Sequence, residues 1–277
     1  MGEITPSVDF ARELPSLGDL AGLRCFLPGG YGGLGEAIAW GLALAGAKVA
    51  VAGRSNERAW ELARAIGRGA VGIALDAESV EDARRATDEA AERLGGLDVL
   101  VNCIGIQREE PILDVTEAAF DEVYRVNLRA AMFLGQAAAR RQVEAAETAR
   151  AAGKAVPVQR QVHLLSVRSQ LGLRKRGYSA YCATKGALVM LVKQHAMELA
   201  PHGITVNGVA PTFVYTEMIR HVMENPAFRQ QLLDRIPLGR IADPKDVVTP
   251  VLFFCAPGAG FVTGQVLYVD GGITASQ

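Results

Sequence analysis

The chain has 277 residues, 49% hydrophobic and 21% charged, with 29 Lys and Arg against 30 Asp and Glu. That length suits one α/β domain with a sizeable core, and a net charge of -1 argues against a nucleic-acid binder. Apolar runs are broken by Gly, Pro or charge before they reach bilayer length, so no membrane partner is expected.

Residues 1–20 read as an N-terminal arm, because Pro6, Pro15 and Gly18 oppose a continuous helix. The first ten residues carry acids and lack the basic and apolar regions of a secretory signal. Residues 21–277 read as a single domain. Its strand candidates are Arg24–Leu27, Val49–Ala52, Val71–Leu75, Val99–Asn102, Val162–Ser166, Thr205–Val209 and Val266–Val269. Helical segments separate them: Gly33–Ala45, Asn56–Ile66, Val80–Leu94, Glu117–Ala152, Tyr178–Leu199 and Pro244–Cys255. Such alternation predicts a doubly wound, Rossmann-type parallel sheet of about seven strands with helices on both faces. Cys25, Cys103, Cys182 and Cys255 are scattered without a CxxC pair, and the four histidines lack metal-ligand spacing. A reduced, cytoplasmic protein without a bound metal is the expectation.

After the first strand comes Pro28-Gly29-Gly30-Tyr31-Gly32-Gly33-Leu34-Gly35, followed by a segment rich in helix formers. Strand, glycines, helix is the context of a dinucleotide site, where backbone N–H groups approach a pyrophosphate at a helix N-terminus. Two glycine registers fit: Gly30-x-Gly32-x-x-Gly35 and Gly29-x-x-x-Gly33-x-Gly35. The second strand ends in Gly53 and Arg54, with no acid before Glu57. An acid there would bond the adenosine ribose, whereas an arginine would meet a 2′-phosphate. NADP is therefore expected in preference to NAD.

Tyr181 and Lys185 stand four apart within a predicted helix, hence on one face. A fixed ammonium favours the phenolate form of a nearby tyrosine and makes it a usable proton donor and acceptor. Ser166 ends the apolar run Val162–Leu165, which favours it over Ser169 as the hydroxyl serving this pair.

Taken together, these motifs resemble the short-chain dehydrogenase/reductase family over roughly Leu20 to Gly272. The glycine loop is similar to the family's TGxxxGxG, with Pro28 for the threonine. Asn102-Cys103-Ile104-Gly105 resembles NNAG, and Tyr181 and Lys185 match YxxxK. Pro211 to Thr216 resembles PGxxxT, and Asp270-Gly271-Gly272 matches the closing DGG. The resemblance implies a catalytic set of Asn127, Ser166, Tyr181 and Lys185. It implies cofactor contacts from Gly29, Tyr31, Gly33, Leu34, Gly35, Arg54, Asp76, Asn102, Gly105, Tyr181, Lys185, Pro211 and Thr216. The activity implied is hydride transfer between nicotinamide and a carbonyl or secondary alcohol.

Within the family, Gly105-Ile106-Gln107-Arg108, Ser166-Val167-Arg168 and Gly177-Tyr178-Ser179 resemble the gluconate 5-dehydrogenase-like branch, which implies a sugar-acid or polyol-like substrate. Gln107, Arg108 and Arg168 are the substrate-side candidates, the arginines as forks for a carboxylate. A 3-oxoacyl carrier-protein reductase is the alternative enzyme, and a non-catalytic cofactor sensor or scaffold the alternative class. Residues 215–240 are expected to form a lid, with Pro226 among its breaks. That lid and the N-terminal arm are expected to be the most mobile parts. The segment Gln142 to Gln161 is about ten residues longer than the family norm. Helices Glu117–Ala152 and Tyr178–Leu199 carry apolar residues on more than one face, which predicts a homotetramer.

Overall fold

A computed structural model describes residues 14–216 and 226–275. Among them run seven strands: β1 Arg24–Pro28, β2 Lys48–Gly53, β3 Val71–Ala74, β4 Val99–Asn102, β5 Arg160–Leu164, β6 Thr205–Pro211 and β7 Val266–Val269. All pair in parallel, in the order β3-β2-β1-β4-β5-β6-β7. Strand order reverses between β1 and β4, so the C-terminal ends of these two strands flank a crevice where α/β sheets bind ligands.

The helices are α1 Leu34–Leu44, α2 Asn56–Ile66, α3 Val80–Leu94, α4 Glu117–Tyr124, α5 Ala130–Ala151, α6 Ser179–Leu199, α7 Pro226–Leu233 and α8 Pro244–Cys255. Side chains of a strand alternate between faces, and the core divides accordingly. Cys25, Leu27, Val49, Val51, Val99 and Val101 pack with α1, α2 and α8. Phe26, Ala50, Ala52 and Leu100 pack with α3 and α5. Leu188, Val192 and Ala196 of α6 pack on Val206 and Ala210 of β6. Helix starts follow their caps: Ser55, Ser79 and Thr116 each accept a first-turn N–H, and Asp243 and Asp246 form a capping box around Pro244.

Two expectations shift. Glu117–Ala152 is not one helix: a π turn over Arg125–Arg129, with Ala130 N–H donating to the Arg125 carbonyl, divides α4 from α5. β5 lies at Arg160–Leu164 rather than Val162–Ser166. Its early polar residues are buried and partly paired inside, although Arg160 Nε and Gln161 Oε1 find no partner among the described residues. Gln161 Nε2 donates to the Gly135 carbonyl at 3.0 Å and to Gln142 Oε1 at 3.1 Å, and Arg160 donates to the Gln159 carbonyl at 2.9 Å. Gln142 in turn donates to the Asp98 and Arg160 carbonyls, so the long 142–161 segment is tied to the sheet by its buried glutamines. The described part of the expected lid includes helix α7, Pro226–Leu233. Much of the expected lid, and most of the arm expected to be mobile, lies outside the described residues. The described end of the arm is a short 3-10 turn, Leu14–Gly18, followed by buried Leu20.

Candidate active site

The glycine loop closes on itself by backbone contact. A Cβ on Gly35 would lie 2.1 Å from the Gly29 carbonyl oxygen, so only glycine permits this turn. Gly29 (φ +77°) also presses on the next strand's exit, where a Cβ would lie 2.9 Å from the Cys103 carbonyl carbon and the Ile104 nitrogen. Cys103 N–H donates to the Pro28 carbonyl at 2.9 Å, so the proline that lacks a threonine hydroxyl still joins the two strand ends. Behind the loop, α1 begins at Gly33 without a side-chain cap. Its first-turn donors and positive dipole end therefore suit a pyrophosphate, and Leu34 opens that turn. This uncapped cradle fits a dinucleotide.

The residues expected on the adenosine side are Gly53, Arg54 and Asp76. Arg54 is exposed immediately after β2. Asp76 is exposed after β3, and its Oδ1 accepts from Glu78 N–H at 3.0 Å. The residues expected on the nicotinamide side are Asn102, Gly105, Pro211 and Thr216. Asn102 is buried, and its Oδ1 accepts from Ile104 N–H at 3.1 Å to shape the turn. Its Nδ2 faces His163 Nδ1 at 3.4 Å. Pro211 ends β6. The Thr216 methyl approaches Gly33, with 3.9 Å to the position a Cβ would take there.

The four expected catalytic side chains converge where β4 and β5 end. Lys185 is 3% exposed, and its Nζ donates to the Leu164 carbonyl at 2.8 Å. The Cβ position of Gly105 is 3.3 Å from Lys185 Nζ and 3.6 Å from Asn127 Oδ1. Asn127 Oδ1 accepts from Ile106 N–H at 2.8 Å, and its Nδ2 donates to the Ile106 carbonyl at 2.9 Å and to Thr184 Oγ1 at 3.2 Å. The π turn presents Asn127 at this point, and Thr184 ties it to the Tyr181 carbonyl at 2.9 Å.

The Ser166 side chain faces the Tyr181 phenol and favours its ionised form, and its Oγ accepts from Arg168 N–H at 3.2 Å. Ser169 is used elsewhere: its Oγ donates to the Ser166 carbonyl at 2.7 Å and pairs with the Tyr268 hydroxyl at 3.0 Å. Burial pushes the Tyr181 phenol up, while the Ser166 side chain and the Arg168 charge pull it down. Burial pushes Lys185 down to about 8, with Cys103 opposing. Lys185 Nζ lies 5.7 Å from the centre of the Tyr181 ring.

The substrate-side arginines are both engaged. Arg108 holds Glu122 through Nε at 2.8 Å and Nη2 at 2.7 Å. Arg168 is 5% exposed and donates to the Leu171 and Gly172 carbonyls at 3.1 and 2.8 Å. A carboxylate would have to displace those partners. Gln107 is exposed, next in sequence to Ile106, whose N–H contacts Asn127. The sequence reading missed Thr184 and the phenol-directed charge of Arg168. Thr184 was visible as the residue three beyond Tyr181 on one helix face. Among the described residues no cluster of His, Cys, Asp or Glu could hold a metal ion, and no helix is long and apolar enough to cross a membrane.

A glycine-cradled crevice at the sheet's switch point, beside a serine–tyrosine–lysine set, defines a dinucleotide-dependent oxidoreductase. The comparisons place it more closely. The family profile described as Enoyl-(Acyl carrier protein) reductase matches residues 30–274. The chain is 37% identical over 257 residues to L-xylulose reductase of Mus musculus, covering 93% of this chain and 98% of the relative. It is 34% identical over 268 residues to gluconate 5-dehydrogenase of Gluconobacter oxydans, covering 95% and 98%. Its fold is similar to the crystal structure of a gluconate 5-dehydrogenase from Burkholderia cenocepacia in complex with NADP and tartrate, with TM-score 0.87, 32% identity and coverage of 96% and 100%. The chain belongs to the short-chain dehydrogenase/reductase family and is an oxidoreductase of that family.

Proposed function

We propose that the protein is an NADP-dependent enzyme moving a hydride between nicotinamide and a carbonyl or secondary alcohol on a small sugar-acid or polyol-like substrate. The observation that carries this is the convergence of Ser166, Tyr181, Lys185 and Asn127 at the mouth of the glycine cradle. The sugar and sugar-acid relatives supply the substrate class. When bound, the cofactor supplies or accepts the hydride and its electron pair. Gly29, Tyr31, Gly33, Leu34 and Gly35 line its phosphates and ribose. Arg54 meets the 2′-phosphate and Asp76 the adenine. Asn102, Gly105, Lys185, Pro211 and Thr216 frame the nicotinamide half.

In reduction, Tyr181 donates its phenolic proton to the substrate oxygen; in oxidation, it takes the proton back. Ser166 donates a hydrogen bond to that oxygen, where negative charge develops. Lys185 returns the proton to the phenolate and favours its charge. Asn127 fixes the 105–106 turn against Thr184, which holds Lys185 and the nicotinamide face in register.

We also propose a homotetramer in the cytoplasm. Phe120, Tyr124, Met132, Met190 and Met197 expose apolar surface on α4, α5 and α6, and Phe253 and Leu267 do so on α8 and β7. Such patches suit isologous contacts. The four free cysteines suit a reducing compartment. The direct test is NADPH oxidation against 5-ketogluconate, xylulose and an acetoacetyl thioester. Turnover of the sugars supports the reading. Turnover of the thioester alone would move the protein to the carrier-protein reductases, and binding without turnover of any carbonyl would make it a sensor.

A further inference from the structure

Gly53 is the last residue of β2 and is buried. A Cβ on it would lie 2.3 Å from Tyr31 Cε1, 2.7 Å from Cζ and 2.9 Å from the hydroxyl oxygen. The ring that blocks position 53 is held on several sides. Its hydroxyl accepts from Ser55 N–H at 2.8 Å. The Arg58 guanidinium lies over it, 4.8 Å from the ring centre, and Arg58 Nη2 donates to the Tyr31 carbonyl at 3.5 Å. The glycine loop and the β2–α2 turn are thus joined through one phenol ring.

We infer that Tyr31 sets the cofactor choice, by excluding an acid from position 53 and by holding Arg58 as a second cation for the 2′-phosphate; this rests on the NADP reading above. An acid at the end of this strand is the group that bonds the adenosine ribose hydroxyls in NAD sites. No side chain larger than hydrogen fits at position 53 while Tyr31 keeps its place. Arg58 sits in the first turn of α2, three residues after the cap Ser55. That is the positive end of the helix dipole, where a cation is disfavoured and an anion favoured. Arg54 stands on the same turn, and neither arginine forms a salt bridge with another described residue. Two cations at a positive helix end create a site for a dianion. Stacking on Tyr31 keeps Arg58 there. With its oxygen accepting from Ser55, the Tyr31 hydroxyl still has a proton to give to a phosphate oxygen.

The test measures dissociation constants for NADPH, NADH and 2′,5′-ADP by fluorescence titration and calorimetry. Wild type should prefer NADPH. Arg58→Ala should weaken NADPH and 2′,5′-ADP by about tenfold or more, the scale of a charge-assisted bond, and leave NADH within about twofold. Tyr31→Leu, which removes both the ring face and the hydroxyl, should do the same. Gly53→Asp alone should weaken both dinucleotides, while Gly53→Asp with Tyr31→Ser should recover NADH binding and not NADPH binding. Thermal melts of each variant report folding, and Arg58→Ala alters only an exposed side chain, so it carries the test if the Gly53 variants fail to fold. A wild type that prefers NADH would overturn the NADP reading and this inference together. A wild type that prefers NADPH but is unmoved by Arg58→Ala, or loses both dinucleotides equally, would overturn this inference alone. So would a Gly53→Asp single variant that binds NADH as well as the double.

Discussion

Lys185 Nζ donates a 2.8 Å hydrogen bond to the carbonyl of Leu164, two residues before Ser166. The lysine on α6 and the serine beyond β5 are therefore set by one stretch of backbone. Shifting either strand end moves both partners of Tyr181.

Burial holds Lys185 down to about 8, so the free protein loses this charge as pH rises through that value. A base lowered in this way is charged below its pKa and neutral above it. NADPH affinity should therefore fall between about pH 7.5 and 9. Lys185→Met should weaken both cofactor binding and turnover and flatten that pH dependence. Titration of both proteins across this range checks it. An unchanged slope in the variant would remove Lys185 from the cofactor site.

Ser166 and Ser169 separate by geometry, and kinetics should separate them too. The Ser166 side chain draws the Tyr181 phenol down against burial. Ser166→Ala should lower kcat by roughly 10²-fold or more, the effect of removing one donor to a developing oxyanion. It should also move the rising limb of the oxidation pH profile to higher pH. Ser169→Ala should leave the limb in place and cost less, since its hydroxyl serves the Ser166 carbonyl and Tyr268. The reverse pattern would exchange their roles.

His163 is wholly buried beside Asn102, and burial, with His195 and Lys185 adding, pushes it down to about 3. Between the ordinary histidine value and that one, the unfolded chain binds a proton that the folded protein refuses. Stability is then full above about pH 6.5 and declines as pH falls toward about 3, by an amount on the order of a few kcal/mol. His163→Asn keeps an acceptor near Asn102 and removes the titration. Its melting temperature should be lower than wild type at neutral pH and should fall less steeply between pH 6.5 and 4. Parallel curves would mean that His163 is not the titrating group.

At the opposite end of the sheet, Asp98 takes three bonds from Arg24: the backbone N–H at 2.8 Å, Nε at 2.7 Å and Nη2 at 2.6 Å. The aspartate is 6% exposed and the arginine 24%. Asp98→Ala leaves two donors of the mostly covered guanidinium and the Arg24 backbone N–H without their acceptor. It should cost on the order of 3 kcal/mol, the lower end for breaking a buried pair, because Arg24 keeps some water. Urea denaturation would measure this, and a loss below about 1 kcal/mol would class the pair with surface ion pairs.

The order of strands and helices was legible because most of the buried strands are short apolar runs, α1 follows glycine, and α2, α3, α4 and α8 start at side-chain caps. The candidate catalytic side chains were legible because Tyr181 and Lys185 share a helix face and Ser166 ends an apolar run. Other features leave no periodic signal. The π turn at Arg125–Arg129 adds one residue to a helical turn without breaking the pattern of apolar residues. β5 starts two residues early with Arg160 and Gln161, polar side chains that are buried and partly paired inside, and such pairing cannot be seen from composition. Arg108 and Arg168 read as free forks in sequence, but Glu122 and the 171–172 carbonyls lie far enough away, or are generic enough, to give no warning. Arg58 went unread because a cation four residues past Arg54 gains meaning only from the ring of Tyr31.

The central claim is that Tyr181 is the proton donor in hydride transfer. Tyr181→Phe keeps the ring that packs edge-on against Tyr178 and removes only the hydroxyl. Single-turnover NADPH oxidation with the best sugar-acid or polyol carbonyl, measured beside NADPH binding, tests it most directly. The account predicts a rate lowered by about 10²- to 10⁴-fold, the scale of a positioned general acid, with the NADPH dissociation constant within about threefold of wild type. A Tyr181→Phe protein that turns over at near wild-type rate would contradict it.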